Sequence, residues 1–97
     1  MSQISESDLQ EIEAMAGLLV GPEEIALCMG IPKDEFIQAV GDQDNPISKA
    51  FYRGSMATEF KLRKNVFKLA NQGSSPAQSL AMKMNDEFNL KKVKHNL

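Results

Sequence analysis

The sequence predicts an all-α fold, on three observations. Ala, Leu, Met, Glu and Lys are common while β-branched residues are scarce, with five Phe, one Tyr and no Trp, a balance that favours helices over strands. Apolar residues recur at three- and four-residue spacing. Proline and glycine fall where helices would start and stop. The expected arrangement is an N-terminal helix-turn-helix three-helix unit followed by a long helix and a shorter antiparallel helix. All of it belongs to one domain over 1–97: an acidic helix-turn-helix unit (1–45), a basic helical hairpin (46–90) and a flexible basic tail (91–97).

The first helix follows a short frayed start. Ser5 or Ser7 can cap it, since a serine oxygen accepts the free amide protons of a first turn. Glu6, Asp8 and Glu11 suit the positive end of its dipole. Leu9, Ile12, Met15, Ala16 and Leu19 give its apolar face, and Gly17 is placed to end it. Gly21-Pro22-Glu23-Glu24 starts the second helix: proline at the first helical position loses no needed hydrogen bond. Ile25, Ala26 and Met29 face inward, and Gly30 breaks the helix. Ile31-Pro32 is an extended step, because a residue before proline avoids the helical region. A third helix from Lys33 or Asp34 to Val40 turns Phe36, Ile37 and Val40 inward and stops at Gly41.

After a polar loop, Asn45 caps and Pro46 opens the longest helix. It runs to Gln72, roughly 40 Å if straight. Gly54 inside it marks a bend or a close helix crossing. Gly73-Ser74-Ser75-Pro76 makes the next turn, with Ser75 as cap. The last helix runs from Pro76 to about Phe88, with Ala77, Leu80, Ala81, Met84 and Phe88 as its face. A loose basic tail follows. The single cysteine, Cys28, sits in an apolar helical pattern and reads as a small core residue. With no internal disulfide, no signal-peptide pattern and no apolar run of about 20 residues, the expectation is a soluble cytoplasmic protein without a membrane partner.

Charge divides this chain at Pro46. Residues 1–45 hold ten acids and one base, Lys33, about −9; residues 46–97 hold ten bases and three acids, about +7; together they make the net −2. Such asymmetry fits an external polyanion, head-to-tail association of copies, or internal packing of the two halves.

Within 22–41, two short helices meet at a tight turn, with Ala26 four positions before Gly30 and Ile31 and Phe36 placed to lock the pair. This is the helix-turn-helix pattern, whose second helix can enter a DNA major groove. There Lys33 can reach guanine or phosphate and Gln38 can pair with adenine. Asp34, Glu35, Glu23 and Glu24 would repel the backbone. On the long helix, Lys49, Arg53, Lys61, Arg63, Lys64 and Lys68 fall within about 160° at 100° per residue. Ile47, Phe51, Leu62, Val66 and Leu69 lie opposite. Met56, Phe60 and Phe67 interrupt the basic side as a second apolar stripe, so two packing partners are expected: the last helix and a neighbouring subunit. The expected DNA-binding set is Lys33, Gln38, Lys49, Arg53, Lys61, Lys64 and Lys68.

Nothing in the sequence argues for catalysis. The one histidine, His95, lies in the tail, and no zinc cluster, phosphate loop, dinucleotide turn or nucleophile elbow appears. No catalytic residue, metal or cofactor is expected.

The run 18–31 (LLVGPEEIALCMGI) resembles the helix-turn-helix of tailed-phage small terminase subunits and their relatives. Tyr52-Arg53-Gly54 and 66–77 (VFKLANQGSSPA) resemble the segment that follows in such proteins, where a basic helix ends in Ala-x-x-Gly and a small residue opens another. The resemblance covers about residues 18–90. It implies recognition of double-stranded viral DNA, ring-like homo-oligomers built through helical hairpins, and a large terminase ATPase as partner. The alternatives are a protein–protein adaptor in virion or mobile-element assembly, and a small helix-turn-helix transcriptional regulator.

Overall fold

The structure, a computed structural model, describes residues 4–97 and contains five helices and no strand among them: α1 (Glu6–Gly17), α2 (Pro22–Met29), α3 (Lys33–Gly41), α4 (Pro46–Asn71) and α5 (Ser75–Lys94). Two compact units divide it, one reaching to Glu59 and one from Phe60 to Leu97. The division falls inside α4, later than the boundary at 45/46 expected from charge. The reason is packing: Ile47, Ser48, Ala50 and Gly54 of α4 are buried, and Ile47 and Ala50 belong to the core made by α1, α2 and α3.

In the first unit, Ser5 caps α1 with a full capping box: its hydroxyl accepts from the Asp8 amide at 3.0 Å, and the Asp8 carboxylate accepts from the Ser5 amide at 3.3 Å. Pro22 opens α2 and Asn45 caps α4, accepting from the Ile47 amide at 2.9 Å. The core comprises Ile12, Ala16, Ile25, Ala26, Phe36, Ala39, Val40, Ile47 and Ala50. The buried Ser48 hydroxyl donates to the Val40 carbonyl at 2.8 Å, joining the start of α4 to the end of α3 and satisfying a polar group that burial would otherwise penalise.

Four helices end on one device, in which an amide two or three residues past the helix reaches back to the carbonyl five residues earlier. Val20 reaches Met15, Ile31 reaches Ala26, Ser74 reaches Leu69 and Leu97 reaches Lys92, at 2.8–3.1 Å. The preceding residue takes positive φ each time: Leu19 (61°), Gly30 (70°), Gly73 (98°) and Asn96 (60°). Leucine thus stands at α1 where glycine was expected to act. Gly17, assigned as the helix stop, is the last residue of α1 itself and serves a crossing instead.

At that crossing the backbones of α1 and α4 come close together. A Cβ on Gly54 would lie 2.1 Å from the Glu13 carbonyl oxygen and 3.0 Å from the Gly17 nitrogen. No side chain fits there, so Gly54 lets α4 press directly on the backbone of α1. The Thr58 hydroxyl donates to the Gly17 carbonyl in a short hydrogen bond, and Arg53 pairs with Glu13 at 3.2 Å.

Some expected core positions are corrected. Cys28 is exposed: about 100° per residue places it roughly 110° from the centre of the Ile25–Ala26–Met29 stripe. Leu19 and Ile37 are 52% and 40% exposed.

The second unit comprises the later part of α4, the turn at 72–74 and α5. Its α5 begins one residue earlier than expected, capped by Ser74, whose hydroxyl accepts from the Ala77 amide at 3.3 Å, with Pro76 in the first turn. It also continues past Phe88 to Lys94, so most of the presumed loose tail is helix. No glycine or proline follows Pro76 to stop it, and Lys91, Lys92 and Lys94 in the last turn suit the negative end of the dipole. Ala77 is the one buried residue of this unit.

Candidate nucleic-acid interface

The compact units sharpen the charge split. Residues 1–59 carry eleven acids and three bases, net −8; residues 60–97 carry two acids and eight bases, net +6, which together return −2. The seven expected DNA contacts are shared between the units, four in the first and three in the second.

In the first unit the bases stand among acids. Lys33 lies in a depression it shares with Glu23 and Glu24 of α2. Around α3, Lys33 and Gln38 are about 140° apart at 100° per residue, with Asp34 between them. The two residues are exposed, but the helix does not aim them together. Lys49 and Arg53 border a groove with Glu6 and Glu13, and Arg53 is already paired to Glu13 at 3.2 Å. Both members of that pair are open to solvent, at 67% and 40% exposure, so it is a weak surface contact.

The second unit differs. Lys61, Lys64 and Lys68 are exposed and lie within a sector of about 60° on α4. None of the three makes an ion pair among the described residues. They are three ammonium groups on one helical face, and together they make a cationic patch.

Beside this patch, α4 and α5 enclose a groove of about 470 Å³ lined by Arg63, Phe67, Met84, Phe88 and Lys91, with Asn85 and Glu87 completing it. Lys92 places its ammonium 5.7 Å from the centre of the Phe88 ring. Lys91 reaches this groove because α5 continues through the stretch expected to be a loose tail. The signal that locates it is the absence of any helix breaker after Pro76. The two apolar stripes expected on α4 are only half covered in this unit: Leu62 and Leu69 are each 50% exposed, Phe60 53% and Phe67 45%.

Among the described residues, no three His, Cys, Asp or Glu side chains gather as a metal site would require, and no helix is long and apolar enough to cross a membrane. The chain matches no protein-family model, no curated protein and no solved structure.

Proposed function

We propose that this chain is a non-enzymatic, self-assembling DNA-binding protein of phage or prophage type, acting as small terminase subunits do. In this reading it recognises viral double-stranded DNA, carries it on an oligomer, and hands it to a large terminase ATPase. The α2–α3 pair serves as a helix-turn-helix, and the basic hairpin holds the phosphates. The observation that carries the reading is the exposed, unpaired Lys61–Lys64–Lys68 patch in a unit of net charge +6. Phosphate neutralisation of this kind supplies most of the affinity of a protein for duplex DNA. The acids around Lys33 and between Lys33 and Gln38 assign base reading a smaller share than backbone binding.

A gel-shift series on phage-derived duplex tests this. Changing Lys61, Lys64 and Lys68 to Glu abolishes the shifted band while circular dichroism keeps its helix content. Retained binding by that variant would exclude the patch as the contact surface.

The second reading, a protein–protein adaptor in virion or mobile-element assembly, is favoured by one observation: the exposed Phe60, Met82, Phe88, Leu90 and Val93 of the hairpin. Absence of binding to any duplex at low salt would select it.

A further inference from the structure

Helix α2 has an outward face that the core does not use. Leu27 is 82% exposed, and at 100° per residue it projects between Glu23 and Glu24, one turn earlier on the same side. All three border one surface depression, whose single base is Lys33. An apolar knob between two carboxylates is the chemical counterpart of the second unit's groove, in which Phe67, Met84 and Phe88 form the apolar wall, with two bases, Arg63 and Lys91, and one acid, Glu87, at the margin. The counterparts sit on units of opposite sign, net −8 and +6. Every copy of the chain presents both, in equal number.

We infer that the occupant of the α4–α5 groove is α2 of a second copy: Leu27 enters against Phe67 and Phe88, and Glu23 and Glu24 meet Lys91 on a unit of net positive charge. This rests on the self-assembly part of the proposed function and specifies its interface. The contact is heterologous, knob of one copy to groove of the next, so it propagates into a ring when the rotation closes. The Lys61–Lys64–Lys68 sector lies on α4 about 60–120° around the helix from Phe67, which leaves those lysines to the nucleic acid.

A heterologous contact makes a prediction that a symmetric one does not. Solution mass is measured by light scattering on the DNA-free full chain at low salt. Leu27→Asp and Phe88→Ser, both at exposed positions, each raise the concentration needed for association at least tenfold. Mixed, they form a one-to-one pair, because the first keeps an intact groove and the second an intact knob. Circular dichroism confirms that each variant is folded. Glu24→Lys and Lys91→Glu give a second test: each weakens assembly alone, and both together in one chain restore it. Association of Leu27→Asp at the concentration of the unmodified protein would overturn this docking while leaving self-assembly in place. A clean monomer of the unmodified protein at high concentration would overturn both, and either result is independent of DNA binding.

Discussion

The two units spend their apolar residues in opposite ways. The first buries Phe36, Ile12, Ile25 and Ile47 completely and gathers them into one core from four helices. The second has large apolar side chains in a similar proportion but buries only Ala77, while Phe60, Phe88, Leu90 and Val93 are more than half exposed. At about 25 cal/mol per Å² of apolar surface removed from water, the first unit holds most of the folding free energy. The hairpin is helical for a different reason. The later part of α4 extends turns already fixed in the first unit, so the unfavourable nucleation step is avoided. Its charge follows the same division, with Lys61, Lys64 and Lys68 making no ion pair in the second unit and the bases of the first set among acids. One region is built to stay folded, and the other to present surface.

The largest test of that contrast compares two phenylalanines. Phe36→Ala empties a fully buried site and lowers unfolding stability by about 3–5 kcal/mol. Phe88→Ala, at 59% exposure, changes it by about 0.5 kcal/mol or less in the unassociated chain. Denaturant titration at low protein concentration checks both, and similar losses would break the contrast.

Next comes the crossing of α1 and α4. Gly54→Ala drives a methyl into the Glu13 carbonyl and destabilises by about 1–3 kcal/mol or more. Gly17→Ala meets only ordinary contacts, the nearest at 3.5 Å from the Gly54 oxygen, and stays within about 0.5 kcal/mol of the parent. Equal effects at the two glycines would deny the close approach. The smallest effect is a gain: Leu19→Gly relieves a left-handed leucine and raises the thermal midpoint, stabilising by about 1 kcal/mol. A lowered midpoint would show that the Leu19 side chain contributes packing that its 52% exposure hides.

Local chemistry made most of the fold legible in the sequence. Ser5, Pro22, Asn45 and Pro46 act on the backbone within a turn of themselves, and Gly30 ends α2 through its own left-handed conformation. Gly54 was legible as a crossing or a bend but not as one of the two, because only the facing Glu13 carbonyl decides it. Gly17 was misassigned for the converse reason. Its role is set by α4, far along the chain, while Leu19 performs the turn with no compositional sign. Ser74 rather than Ser75 caps α5, a choice between adjacent serines that sequence pattern does not resolve. Of the candidate interface, the exposed lysines of α4 could be read from periodicity. Arg53's partner, the acids around Lys33, and Lys91 at the groove required the fold.

The salt dependence of duplex binding is the decisive measurement for the Lys61–Lys64–Lys68 patch, because it counts the phosphates that cations neutralise. A linear fall of log affinity with log salt concentration is expected. In the Lys61→Gln, Lys64→Gln, Lys68→Gln variant the slope becomes shallower by about 0.9 for each lost phosphate contact. An unchanged slope in that variant, or no duplex binding by the unmodified protein at low salt, would contradict phosphate binding by the patch.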